Sequence, residues 1–74
     1  MAMHILDVKN LLCPMPVIKV QEQIEKSSVG DIIEVFVTDP GAKEDIPCWC
    51  RINGHNIKKI VENEDGINIT ILVN

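Results

Sequence analysis

Apolar and polar positions along the chain form patterns that predict four strands. Residues 4–8 predict a short first strand, and the nearly continuous apolar run at 32–38 predicts a strand covered on at least part of both faces. Residues 56–62 alternate imperfectly, which predicts a third strand with a β-bulge. Residues 67–73 alternate regularly and predict a fourth strand. Its buried face is expected to carry Ile67, Ile69, Ile71 and Val73.

A helical spacing of apolar residues predicts a first helix from about Pro14 to Ser27. Its core-facing stripe is expected to contain Val17, Val20, Gln21 and Ile24. Charged and polar residues occupy the remaining positions, so the other faces of this helix are expected to meet solvent.

The second helix is harder to predict because Pro47 lies inside the segment. Proline lacks an N–H and its ring clashes with the preceding turn, so Pro47 is expected to break any helix that begins at Pro40. We therefore predict a helix that has Asp45 as its N-cap, carries Pro47 in its first turn and runs through Ile52. The Asn-Gly pair that follows supplies a C-cap signal.

The element order, β-α-β-α-β-β, predicts an α/β fold. Strands joined through a helix run parallel with right-handed crossovers, and a hairpin turn at 63–66 adds an antiparallel strand. We expect a two-layer sandwich in which two helices pack on one face of a mixed four-stranded sheet. The other face of the sheet must stay solvated or meet a partner.

The segment 11–17, Leu-Leu-Cys-Pro-Met-Pro-Val, carries the clearest chemical signal. Proline is tolerated in the first turn of a helix, so Pro14 and Pro16 mark a helix start and place Cys13 at or beside the N-cap. The helix dipole lowers the pKa of a cysteine in that position. Pro16 stands where a Cys-x-x-Cys motif would have its resolving thiol. By pattern alone, Cys13 is either a reactive thiol or a small buried apolar residue.

Composition limits the classes of function. The 74 residues are predicted to form one domain, 1–74, and its net charge of −4 disfavours direct binding to nucleic acid or an anionic membrane. No apolar run approaches the ~18 residues of a membrane span. The N-terminus lacks the regions of a signal peptide, so a cytoplasmic protein with reduced thiols is expected. Three cysteines, an odd number, do not make a disulfide framework.

Two stretches resemble the motifs of the TusA/SirA sulfur-carrier family. The family's opening motif is similar to Leu6-Asp7 and Leu11-x-Cys13-Pro14-x-Pro16. Its second signature is similar, at matching spacing, to Asp39-Pro40 and Asp45-Ile46-Pro47-x-x-Cys50. The resemblance extends over essentially the whole chain and includes the order of the elements.

The resemblance implies two helices on a four-stranded mixed sheet and a sulfurtransferase-class carrier without turnover on a small substrate alone. Cys13 matches the cysteine that carries sulfur as a persulfide, and Pro14 and Pro16 match its flanking prolines. The sulfur would come from a cysteine desulfurase or a rhodanese-like sulfurtransferase. It would pass to an acceptor protein, for tRNA thiolation or another sulfur-transfer pathway. We expect no cofactor, no metal ion and no direct contact with nucleic acid or membrane.

Two positions depart from the family pattern, which often has Gly at both. Asn10 lies in a turn where Asn is tolerated. Cys48 creates a Cys48-Trp49-Cys50 run, which adds candidate secondary thiols. Two residues apart on a helix, Cys48 and Cys50 point to nearly opposite faces. Cys48 is the better candidate for an exposed thiol, and Cys50 is expected to pack in the core.

Other hypotheses remain beside the carrier. The chain is alternatively a non-catalytic protein-binding or regulatory module with an inert Cys13, or a thiol redox or metal-binding protein that uses Cys48 and Cys50. A Cys₃His site could in principle combine Cys13, Cys48, Cys50 and His55, but the paired Cys-x₂-Cys spacing of structural zinc sites is missing.

Four further side chains have an ordinary interpretation. Lys19 either attracts anionic sulfur donors or is a solvated helix lysine. Trp49 is either a docking residue or a core filler. His4 and His55 are expected to be ordinary residues near strand ends.

Overall fold

A computed structural model describes residues 2–12 and 14–74 of the chain. Within them it has two helices and four strands in the predicted order. These are β1 (Met3–Asp7), α1 (Met15–Glu25), β2 (Ile32–Val37), α2 (Pro40–Ile52), β3 (Asn56–Asn63) and β4 (Gly66–Leu72). Neither helix has the length and hydropathy that crossing a bilayer requires.

The four strands form one mixed sheet in the order β1-β2-β4-β3. β1 runs parallel to β2, whereas β4 lies between β2 and β3 and is antiparallel to both. β2 and β3 therefore point the same way without being neighbours. The predicted α/β sandwich, with two helices packed on one face of a mixed four-stranded sheet, is confirmed.

The core lies between the sheet and the two helices. Alternate residues of the central strands point into it: Ile33, Val35, Val37, Ile67, Ile69 and Ile71. α1 adds Val20, which is fully buried, while Val17 and Ile24 are partly buried and Gln21 is exposed. The predicted buried face of the last strand is confirmed, including Val73, which lies just past β4. Removal of this aliphatic surface from water is the main source of stability for such a small domain.

The second helix differs from the prediction. α2 begins at Pro40 and continues through Pro47 to Ile52, so the expected break at Pro47 and the N-cap at Asp45 are both wrong. A proline inside a helix costs about 3 kcal/mol because it removes one backbone hydrogen bond and crowds the preceding turn. Burial offsets this cost, since Pro47 is itself buried on the core-facing side of α2. That side also buries Ala42, Ile46 and Cys50, and each large apolar side chain contributes about 1.5–3 kcal/mol.

The C-terminal end of α2 follows the prediction. Asn53 is the C-cap and Gly54 adopts a φ of +84°, the left-handed conformation that glycine tolerates best. The His55 N–H donates to the Cys50 carbonyl at 2.7 Å, and the Gly54 N–H donates to the Arg51 carbonyl at 3.3 Å. These two bonds form a Schellman motif, which satisfies carbonyls that the helix end would otherwise leave unpaired.

The predicted bulge and hairpin of the last two strands are also present. The pairing of β3 with β4 shifts register between Ile57 and Lys59. A tight turn at Glu64 and Asp65 then joins Asn63 to Gly66. Gly66 is required at its position, because a Cβ atom there would lie 2.6 Å from the Val37 carbonyl oxygen.

Asp31 ties together the end of the sheet at which β1 and β2 begin. Its buried carboxylate accepts hydrogen bonds from the Ala2 N–H at 2.9 Å, the Ser28 N–H at 3.0 Å and His4 Nε2 at 2.9 Å. The bond from His4 and then those from Ser28 and Ala2 hold the pKa of this carboxyl well below its usual range. The edge strand β1 is thereby anchored to the connection between α1 and β2.

Candidate functional site

The candidate site lies at the end of the sheet where β1 and β2 finish. Each of these parallel strands leads through a short connection into a helix, so α1 and α2 both begin at this edge. Open α/β sheets commonly bind ligands at this carboxyl edge of their parallel strands. Cys13 itself lies outside the described residues, and its role as the reactive thiol stays a prediction.

The turn that leads to Cys13 is held against the end of β2. The Lys9 N–H donates to the Asp7 carboxylate at 3.1 Å, and Asn10 then adopts a φ of +68°. This left-handed conformation is the one expected for Asn in place of a family Gly. The Asn10 N–H donates to Thr38 Oγ1 at 2.8 Å. The segment that precedes Cys13 is therefore fixed to the residue that follows β2.

The start of α1 follows Cys13 closely. The helix begins at Met15 with Pro14 as N-cap, one residue after the predicted start, and Pro14 supplies no side-chain hydrogen bond. The Met15 N–H donates to the Leu12 carbonyl at 2.9 Å across the intervening residue. Pro16, in the first turn, is almost completely buried and anchors the motif to the core. A helix start without a side-chain cap presents its positive dipole end to the segment before it.

Exposed apolar side chains surround this helix start. Leu12 is 74% exposed, and Met15 and Ile18 are each 39% exposed. None of the three belongs to the core-facing stripe of α1, and sequence reasoning did not single them out. Large apolar side chains next to the motif but off the stripe were the available signal. Such a surface beside a reactive group favours contact with another protein.

The start of α2 has a different chemistry. Asp39 is its N-cap, and the carboxylate accepts a long hydrogen bond of 3.4 Å from the Gly41 N–H. The expectation that Asp39 caps a helical turn with Pro40 at its first position is confirmed, although the turn belongs to the whole of α2. Lys43, one turn on, contacts Glu62 of β3 at 2.6 Å.

The structure separates the two candidate secondary thiols. Cys48 is exposed on α2, whereas Cys50 is fully buried in the core, as their spacing predicted. Burial raises the pKa of the Cys50 thiol to about 11, because the thiolate would lose its hydration. Cys50 is therefore an unreactive packing residue at neutral pH. Because one thiol points outward and the other inward, the two cannot act as a joint redox pair or metal-binding pair.

Among the residues that the structure describes, no group of three or more His, Cys, Asp or Glu side chains could hold a metal ion. His55 of the hypothetical Cys₃His set instead stacks on Trp49, with ring centroids 6.0 Å apart, and accepts from the Asn74 N–H at 3.1 Å. Trp49 is partly buried against the core. Lys19 lies 3.6 Å from Glu22 on the solvated side of α1.

A groove of about 470 Å³ lies away from the motif, between α2 and β3. Its floor is apolar and its rim is largely basic, with Pro47, Ile57 and Ile60 below Arg51 and His55. No residue of the segment 8–18 lines it. Chemistry at Cys13 would thus take place at an open edge that another protein can reach.

Comparison with protein families gives a match along nearly the full length. The model of the family described as "Sulfurtransferase TusA" matches residues 4–73. The chain belongs to the TusA family. The matched residues include both motifs identified in the sequence and all the elements that form the carboxyl edge of the sheet.

Relatives of this TusA-family chain come from bacteria and archaea. "Putative sulfur carrier protein YrkI" of Bacillus subtilis is 36% identical over 61 residues, which are 82% of this chain and 81% of that protein. A protein of the same description from Archaeoglobus fulgidus is 38% identical over 61 residues, 82% of this chain and 79% of that one. In a relative from Aquifex aeolicus, 39% identical over 67 residues, the match spans 90% of this chain but only 34% of the other.

The fold of the family is also found in a solved structure. The crystal structure of a SirA-like protein from Desulfitobacterium hafniense superposes with a TM-score of 0.78, covering 99% of this chain and 96% of that one. The two sequences are 19% identical. This comparison establishes the shared fold of two helices on a mixed four-stranded sheet.

Proposed function

We propose that this chain is a sulfur carrier that accepts sulfane sulfur on Cys13 as a persulfide and passes it to an acceptor protein. The observation that carries the proposal is the match of the TusA family over residues 4–73, with the Cys-Pro-x-Pro motif at the start of α1. The names of the relatives from B. subtilis and A. fulgidus, both sulfur carriers by description, support it.

The chemistry needs only the thiol and its surroundings. The Cys13 thiolate attacks the terminal sulfur of a donor persulfide, the S–S bond of the donor breaks, and the donor leaves as a thiolate. The acceptor repeats this step on the new persulfide and releases Cys13. Each transfer moves one neutral sulfur atom and needs no external oxidant, reductant or cofactor. The dipole at the uncapped start of α1 would stabilise the anionic forms of Cys13.

The surroundings of the motif suit a carrier. Pro16 stands one turn after Pro14 and offers no thiol that could discharge the persulfide, so sulfur stays on Cys13 until an acceptor arrives. The exposed side chains of Leu12, Met15 and Ile18 offer donor and acceptor an apolar contact. The donor is a cysteine desulfurase or a rhodanese-like sulfurtransferase, and the relay ends in tRNA thiolation or another sulfur-transfer pathway.

Intact-mass spectrometry after incubation with polysulfide, or with a desulfurase and cysteine, tests the proposal. Wild type should gain the mass of one sulfur atom, and dithiothreitol should remove it. Cys13→Ser should gain none. Cys48→Ser is the matched control, because it removes an exposed thiol of α2 and should load like wild type.

Two results would contradict the carrier function. One is a wild-type protein that takes up no sulfur from either donor. The other is an adduct that persists in Cys13→Ser and disappears in Cys48→Ser. Incubating the loaded protein with a candidate acceptor and measuring the sulfur it gains then distinguishes among the sulfur-transfer pathways.

A further inference from the structure

The face of the sheet opposite the helices, here called the open face, carries three rows of side chains. The strand registers place four residues in each row, one from every strand. In the order β1, β2, β4, β3, the first row is Met3, Ile32, Leu72 and Asn56, the middle row is Ile5, Glu34, Thr70 and Lys59, and the last row is Asp7, Phe36, Asn68 and Val61.

The open face is unusually apolar for a surface without a helical layer. Ile5 is 71% exposed and Met3 is 65% exposed, and Val61 is also exposed. Ile32, Phe36 and Leu72 are partly exposed beside them. Contiguous apolar patches of this kind on a folded domain mark surfaces that another molecule covers.

The charged residues of the open face are separated across the sheet. Asp7 of β1 and Glu34 of β2 lie on one half, whereas Lys59 of β3 lies on the other. Glu34 is held in place by Thr70, whose Oγ1 donates to Glu34 Oε1 at 3.1 Å. An acidic half and a basic half on one face make that face complementary to a second copy of itself.

A two-fold axis parallel to the strands uses this complementarity. It places β2 opposite β4 and β1 opposite β3 of the other copy, in two sheets stacked about 10 Å apart. Ile32 then faces Leu72 of the second copy, and this contact occurs twice. Lys59 of the second copy faces Ile5, one strand from Glu34 and about 7 Å along the strand from Asp7. The other in-plane axis would place Glu34 against itself.

We propose that the open face is a self-association surface, on which two copies of this chain pack sheet to sheet about a two-fold axis parallel to the strands. Ile32 and Leu72 form the apolar centre, and Lys59 of each copy pairs with Glu34 and Asp7 of the other. The helices and the Cys-Pro-x-Pro motif stay on the outside of the pair. The inference is independent of sulfur transfer.

The size of the face sets the strength of the pair. Four strands about 4.8 Å apart and about 20 Å long give about 400 Å² per copy, or about 800 Å² in total. This area is below the standard of about 1,200–2,000 Å² for stable complexes, so the dimer is weak and concentration-dependent.

Sedimentation velocity from about 20 µM to about 1 mM protein tests the proposal at low salt. The weight-average sedimentation coefficient of wild type should rise with concentration. Lys59→Glu and Glu34→Lys should each weaken the association about tenfold or more, and the double reversal should restore most of it. Lys26→Glu is the matched control, because it makes the same charge change on the exposed C-terminal end of α1.

Each other result overturns the proposal. A wild-type coefficient that stays constant up to about 1 mM shows that the face does not bind itself. A double reversal that fails to restore association contradicts the two-fold arrangement, and equal weakening by Lys26→Glu reduces the effect to net charge. If Glu34→Lys fails to fold because its bond to Thr70 is lost, the exposed Lys59→Glu against Lys26→Glu still decides.

Discussion

The two ends of the sheet differ in how their polar groups are satisfied. At the end where β1 and β2 begin, Asp31 accepts three hydrogen bonds and the buried Cys50 has a raised pKa. At the opposite end, α1 starts from Pro14 without a side-chain cap, and Leu12 exposes most of its surface. One end is closed by internal bonds, and the other presents a helix dipole and apolar side chains to the outside.

This difference shows how a small domain can be both stable and reactive. The bonds of Asp31 hold the edge strand β1, which leads directly to the turn at Asn10. The Asn10 bond to Thr38 then fixes the approach to Cys13 from the side of β2. The anchored end thus supplies the rigidity that lets the other end remain without a cap. A negative group that arrives at Cys13 would meet an unneutralised helix start.

The largest expected contrast is in thiol reactivity. At neutral pH, iodoacetamide should alkylate Cys13 about a hundredfold or more faster than Cys50, whose pKa of about 11 leaves almost no thiolate. Peptide mapping by mass spectrometry measures both rates in one sample. Labelling of Cys50 should increase as the pH rises toward 11 or when the protein is unfolded. Comparable rates in the folded protein at neutral pH would remove the contrast between the two ends.

A smaller effect is expected at the anchored end. Asp31→Asn should lower Tm by on the order of 5 °C at neutral pH, because the carboxylate that three donors share is lost. Its lowered pKa means that Asp31 stabilises the fold above its ordinary value of 3.8 and loses this contribution as the pH falls further. Thermal melts monitored by circular dichroism in a pH series measure both effects.

Asp65→Asn is the control for that experiment, since Asp65 is exposed in the hairpin turn. It should leave Tm and its acid dependence unchanged. Sulfur loading of Asp31→Asn should also match that of wild type while the protein is folded. Slower loading by the folded variant would show that the two ends are not separate in function.

The smallest expected effect comes from giving α1 the kind of cap that α2 has. Pro14→Asp adds a carboxylate at the N-cap, which neutralises the helix start and should raise the pKa of Cys13. Loading from polysulfide should become severalfold slower. Pro14→Asn offers a similar cap without charge and should load at nearly the wild-type rate. Equal rates for Asp, Asn and wild type would show that the helix start does not influence the thiol.

Local rules predicted most elements because each pattern had a single strong interpretation. The alternation of Ile67, Ile69 and Ile71 has a period of two, which a helix cannot satisfy. The same rules failed at Pro47, where the local cost of proline in a helix was overridden by burial of the helix face that carries Ile46 and Cys50. That burial depends on the sheet beneath, which no local pattern contains.

The candidate site was predicted only in part for the same reason. The Cys-Pro-x-Pro motif and the left-handed Asn10 follow from the chemistry of single residues. The bond from Asn10 to Thr38 spans 28 positions in the sequence, and the exposure of Leu12 depends on what packs nearby. Neither can be obtained from spacing along the chain.

The sequence by itself determined the order of the elements, the helix start behind the Cys-Pro-x-Pro motif and the opposite directions of Cys48 and Cys50. Each of these depends on backbone preferences and periodicity, which act over a few residues. Only the tertiary structure decided that β4 lies between β2 and β3, that Asp31 anchors β1, and that Glu34 and Lys59 lie in one row of the open face. Such contacts join distant segments, and burial selects among them only once the whole sheet has assembled.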